Sequence, residues 1–115
     1  MASTEDITLN GVSPTGQHEP HYGDEKTVYD EVTLGTYDSG SDGNGNSFDV
    51  AGIYGFARLL EVRVTVLGSD AADYYAVYDY TNNSVLVFNR DGTGEVAQGT
   101  ALNIDMRVRV EGTGT

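Results

Sequence analysis

Toward the C-terminal end of the chain, apolar and polar residues alternate without a break. In "ALNIDMRVRVEG", Leu102, Ile104, Met106, Val108 and Val110 interleave with Asn103, Asp105, Arg107, Arg109 and Glu111. A period of two predicts a strand with one buried and one wet face, and an apolar face this continuous places residues 101–111 at or near the centre of a sheet. "RLLEVRVTVLG" repeats the pattern, with Leu60, Val62, Val64 and Val66 on one face and Glu61, Arg63 and Thr65 on the other. Between these runs, "DYYAVYDY" and "SVLVFNR" flank "TNN", whose asparagines tolerate left-handed backbone and predict a tight hairpin. Asp91-Gly92 predicts a further turn ahead of the short "EVAQGT".

Upstream, "KTVYDEVTLGTY" carries Val28, Val32 and Leu34 in one register and Tyr29, Thr33 and Tyr37 in the other, and "DITLNGV" predicts a shorter strand. Residues 12–25 hold both prolines and both histidines without periodicity, which predicts an arm or loop that docks on a neighbour through His18, Pro20, His21 and Tyr22. "FDVAGIYGF" predicts one short helical turn with Asp49 as its N-cap, curtailed by Gly52 and Gly55. Residues 38–47 form a Gly/Asp-rich loop, and 112–115 are expected to fray. About seven short strands joined by Gly-rich turns predict an all-β chain: an antiparallel, jelly-roll-like β-sandwich, residues 1–115 forming a single domain with an extended N-terminal arm.

Charge narrows the range of partners. Eighteen acidic residues oppose six basic ones, a net charge of −12, and residues 1–50 carry ten acids and one base. Such a surface repels phosphate backbones and anionic lipid, so neither nucleic acid nor membrane is an expected partner. Lysine occurs once, and aspartate outnumbers glutamate eleven to seven. Short carboxylates with almost no lysine resemble proteins of salt-loving organisms, where molar salt shortens the Debye length to about 3 Å and relieves self-repulsion. The N-terminus has neither a basic n-region nor an apolar h-region, and Arg58, Glu61 and Arg63 interrupt the longest apolar run, so neither a signal peptide nor a membrane span is expected. Without cysteine the chain has no disulfide framework and no thiolate metal site.

Three groups of residues invite chemistry. Asp38, Asp42, Gly43, Asn44, Asn46 and Asp49 fall on positions 1, 5, 6, 7, 9 and 12 of the twelve-residue Ca²⁺ loop. Gly40 withholds the ligand at position 3, and Asp49 is shorter than the usual Glu at position 12. A solvated acidic loop is therefore the favoured reading, with Asp38, Asp42 and Asp49 the candidate ligands for Ca²⁺ or for loosely held monovalent cations. His18 and His21 beside Glu19 could offer a metal corner, but no second ligand pair is nearby, and a simple polar loop is the favoured reading. Tyr74, Tyr78 and Tyr80 share a strand face with Ala76. They read either as a carbohydrate platform or interface anchor, or as a core-packed face with its hydroxyls at solvent. No Ser-His-Asp order, P-loop or dinucleotide fingerprint is present, so no enzyme is expected and no cofactor is required.

From residue 49 onward, "DVAGIYGFARLLEVRVTV", "YYAVYDYTNNSVLVFNRDGTGEVAQGTAL" and "NIDMRVRVEG" follow one another. This order resembles small β-sandwich head proteins of tailed phages and archaeal tailed viruses, encoded near the major capsid protein. The arm at 12–25 and the loop at 38–47 depart from that pattern. The resemblance implies a virion structural protein that decorates or cements the capsid surface of a tailed virus, of a halophilic archaeal host given the charge. Its implied partners are the major capsid protein and further copies of itself, as a trimer or pentamer on a shell symmetry axis. The alternative reading is a tail or spike recognition module that binds a host surface glycan.

The acidic surface carries its own test. Thermal melting in molar and in millimolar KCl is expected to show a lower Tm at low salt, where crowded carboxylates repel unscreened. An equal Tm in both would contradict the halophilic reading.

Overall fold

The computed structural model describes residues 6–10, 25–38 and 45–114. Eight strands run in the order β1 Ile7–Leu9, β2 Glu25–Thr36, β3 Asn46–Ser47, β4 Phe56–Val66, β5 Tyr74–Asp79, β6 Ser84–Asn89, β7 Gly94–Glu95 and β8 Ala101–Gly114. A five-residue helix, α1 (Val50–Tyr54), precedes β4, and a 3-10 turn at Gly68–Ala72 precedes β5. The strands form two antiparallel sheets of a β-sandwich. The larger has the order β1-β2-β8-β4, and the smaller has β3-β6-β5, with β7 also on β6. Because β5, β6 and β7 stay in one sheet as a meander, the likeness to a jelly roll extends to the two-sheet architecture and not to strand order. Among the described residues no helix is long and apolar enough to cross a membrane.

The alternating strand at the C-terminus is central, lying between β2 and β4. Its inward side chains build apolar rows across the sheet, Val28 and Val62 flanking Val110, and Val32 and Val66 flanking Met106. The sequence pattern thus becomes a packed layer in which every inward residue from Ile104 to Val110 is buried. Ala76, Tyr78, Val85 and Val87 of the smaller sheet, with Phe48 and Val50 of the connection, belong to the same core.

One row is broken by a carboxylate. Asp30 pairs with Val108 on the inward face and is 2% exposed. Its two oxygens are both hydrogen-bonded: the Tyr54 hydroxyl donates to Oδ2 at 2.6 Å and the Glu31 backbone N–H to Oδ1 at 2.8 Å. A buried carboxylate is tolerable only with such partners, so Asp30 also anchors α1 to β2. Lys26 closes the same C-terminal end of that helix, its Nζ donating to the carbonyls of Tyr54 and Gly55 at 2.7 and 3.1 Å.

Two expectations are corrected here. Leu60 does not join the inward face. Leu59 pairs with Gly112 and Glu61 with Glu111, so Leu60 is an extra residue in a β-bulge, turned outward and 57% exposed. Nor do residues 112–114 fray: they continue β8, Gly112 pairing with Lys26 on one side and Leu59 on the other. Gly112 is needed there, because a Cβ at this position would lie 2.1 Å from the Arg58 carbonyl oxygen.

Both registers are testable by equilibrium urea unfolding. Val108→Asp is expected to cost on the order of 3 kcal/mol or more by placing an unpaired charge in the core. Leu60→Asp is expected to stay within about 0.5 kcal/mol because its side chain is already in water. Equal costs would place the bulge elsewhere.

Candidate functional site

The proposed calcium loop is assigned other work at the ends the structure describes. Asp49 is the N-cap of α1, its Oδ1 accepting from the Gly52 backbone N–H at 3.3 Å. Asn46, at position 9 of the loop pattern, is fully buried. Its Oδ1 accepts from the Asp38 backbone N–H at 2.8 Å and its Nδ2 donates to the Thr36 carbonyl at 3.0 Å, so the side chain ties the two ends of the loop together. Asp38 starts the loop and Asp42 lies outside the described residues. Among the described residues no group of three or more His, Asp or Glu is placed to hold a metal ion. His18, Pro20, His21 and Tyr22, the interface residues expected on the arm, also lie outside the described residues.

The tyrosine face is divided between core and surface, Tyr80 being 51% exposed. Tyr78 faces the core at 6% exposure, its hydroxyl donating to the Phe48 carbonyl at 2.8 Å; burial pushes that hydroxyl up to about 12. Tyr74 is half-buried against the core. Tyr80 lies past the end of β5 and packs edge-on against Tyr78 at 5.4 Å. Its hydroxyl accepts from the Val62 backbone N–H at 2.8 Å and sits 3.4 Å from the Val62 carbonyl. Two further tyrosines close the interior in the same way. Tyr37 hydrogen-bonds Glu95 and accepts from the Val87 N–H, while Tyr54 meets Asp30. Burial first, and then the neighbouring carboxylate, raises both hydroxyls above the usual phenol range.

What faces water on the smaller sheet is the opposite register. Tyr75 pairs with Phe88, and Val77 with Leu86. Tyr75 and Val77 are 40% and 41% exposed, and Leu86 and Phe88 are partly so. The Tyr75 and Phe88 rings stack at 5.4 Å with an interplanar angle of 15°, and the Arg90 guanidinium lies 5.5 Å over the Tyr75 ring. Arg90 is held there by its Nε, which donates to the carbonyls of Ala71 and Tyr74 at 2.7 and 3.2 Å. At the far end of the strip Asp79 accepts from Thr81 and Asn82. The Asn82 side-chain amide, backed by the two backbone amides, holds its carboxyl below the usual carboxylate range.

The outer face of the larger sheet is built differently. Arg107 pairs with Glu31 and Arg109 with Glu111, each at 3.0 Å, and Arg63 approaches Glu61 at 3.7 Å. Thr33 donates to Asp105 at 2.7 Å. One face of the sandwich is thus wet and ion-paired, and the other carries two adjacent apolar cross-strand pairs. A shallow, open cleft of about 380 Å³, lined by Ala72, Asp73, Tyr74, Asn89, Arg90 and Asp91, borders the apolar strip at its Arg90 end. The alternation in "YYAVYDY" points to Tyr74, Tyr78 and Tyr80, whereas the register that faces water is that of Tyr75 and Val77. The available signal was "SVLVF", a continuous apolar run in a chain whose other long strands alternate.

Substitution of Asp49 separates the helix cap from the metal ligand. Asp49→Ala is expected to lose about 1 kcal/mol, and Asp49→Ser to recover most of it, with the same urea midpoints in calcium and in chelator. A loss seen only in calcium would restore Asp49 as a ligand.

Compared with known proteins, the chain matches no protein-family model, no curated protein and no solved structure.

Proposed function

We propose that this chain is a virion structural protein that decorates or cements the capsid of a tailed virus with a halophilic archaeal host, acting as a passive binding module. The observation that carries the reading is the uncovered apolar strip of Tyr75, Phe88, Val77 and Leu86 on the smaller sheet. Apolar side chains grouped on one face of a small, strongly acidic domain mark an adhesive surface. In brine the logic sharpens. Molar salt screens charge-charge attraction between groups more than a few ångströms apart, whereas apolar contact is undiminished by screening. A net charge of −12 keeps the rest of the surface hydrated, so apolar adhesion concentrates on the strip.

The order of sequence features from residue 49 onward, similar to that of tailed-virus head proteins, supports the capsid surface as the location and the major capsid protein as the partner. The glycan-binding alternative draws on the tyrosine face or the acidic loops, and the first of these is weakened because its central hydroxyl, that of Tyr78, is committed to the Phe48 carbonyl inside the core.

Purified particles test the assignment. A decoration protein is expected at a copy number set by the symmetry of the shell and comparable to that of the major capsid protein, with density on the outer capsid surface in a particle reconstruction. A handful of copies at a tail tip, or none in the particle, would refute it.

A further inference from the structure

We propose that the strip on β5 and β6 is a self-association surface, on which a second copy of this chain docks face to face about a two-fold axis that runs across the strands. The inference rests on reading this face as adhesive and names its occupant. Along the strip the order is Arg90, then the Tyr75–Phe88 pair, then the Val77–Leu86 pair, then Asp79. The strip thus has a base at one end and an acid at the other, Arg90 being flanked by Asp73 and Asp91, and Asp79 lies four residues beyond Tyr75 on β5, roughly 13 Å. An axis across the strands turns the strip end for end over itself. It lays the Tyr75–Phe88 rings of one copy over the smaller Val77–Leu86 pair of the other, and brings each Arg90 to the Asp79 end of its partner. An axis along the strands would instead set ring on ring and Arg90 beside Arg90. Shape and charge both favour the first arrangement, and both contacts occur twice, as an isologous interface requires.

The surroundings favour a second copy over an anionic surface. Arg90 is the sole base between Arg63 and Arg107, and Asp73, Asp79, Asp91 and Glu95 lie around the strip, so anionic lipid or nucleic acid is repelled. The exposed strip amounts to on the order of 400 Å² per copy, about half of the ~800 Å² that each partner contributes to a standard stable interface. The association is accordingly weak in dilute solution. It strengthens with salt, which screens the −12 charge on each copy, and with the local concentration that a crowded shell provides.

Sedimentation equilibrium of the full chain in molar KCl, over a range of concentrations, tests this. The unaltered chain is expected to show a monomer–dimer equilibrium, and Val77→Lys, at an already exposed position, to weaken it by about tenfold or more with an unchanged Tm. Arg90→Glu and Asp79→Lys are each expected to self-associate poorly, and their equimolar mixture to recover the dimer, because both end contacts regain opposite charges. A merely structural role for either residue would not produce that rescue. A chain that stays monomeric, a trimer or pentamer in place of the dimer, a dimer that survives Val77→Lys, or a mixture that does not recover would each overturn the inference. Should the Asp79 variant fail to fold, Val77→Lys alone decides between dimer and monomer. Monomers found in stoichiometric amounts on the capsid would overturn self-association while leaving the decoration reading intact. A dimer absent from particles would do the reverse.

Discussion

The inward face of β8 is the constraint on which the other elements depend. Its residues are contacted laterally by β2 and β4 and from above by the smaller sheet, so Met106, Val108 and Val110 pack on three sides. Each such side chain, fully buried, is worth roughly 1.5–3 kcal/mol relative to exposure, and a row of them outweighs any single surface contact. The strand must be long to serve both neighbours, which accounts for its extension through Gly114. The close approach of the Arg58 carbonyl then accounts for a residue without a side chain at position 112.

Above that layer, tyrosine hydroxyls do the joining. The chain has neither cysteine nor tryptophan. Yet Tyr37 reaches β6 and β7, Tyr54 links α1 to β2, Tyr78 ties β5 to the segment before α1, and Tyr80 bridges the end of β5 to β4. A tyrosine ring buries a large apolar area while its tip closes a polar valence that would otherwise be left unpaired. Through these contacts two sheets and a short helix hold one arrangement, and the outer faces are left free to differ in character.

Strand positions were legible wherever one face is wet, because alternation reports burial directly: β8, the Val62–Val66 half of β4, and the β5–β6 hairpin with Asn83 at φ 53° all follow the pattern. The Asp49 cap was legible from local chemistry alone. Leu60 was not, since a bulge shifts the phase by one residue and leaves the composition of the strand unchanged. The exposed apolar strip was not legible for a related reason. In "YYAVYDY" both registers are rich in apolar and aromatic side chains, and only the packing of the second sheet onto β8 decides which register turns inward. Of the tyrosines on the expected face, Tyr78 is the one the core requires, while Tyr80 stays 51% exposed.

A further consequence follows from the Tyr80 hydroxyl on Val62. β4 is an edge strand of the larger sheet, and its outward backbone groups are a template on which another chain could add a strand. In molar salt, where charge repulsion no longer keeps molecules apart, that template is a route to endless ribbons. Tyr80 occupies the Val62 rung, and the bulge at Leu60 bends the edge just before it. With its edge engaged at Val62 and bent at Leu60, β4 offers a second chain only an interrupted template for backbone pairing.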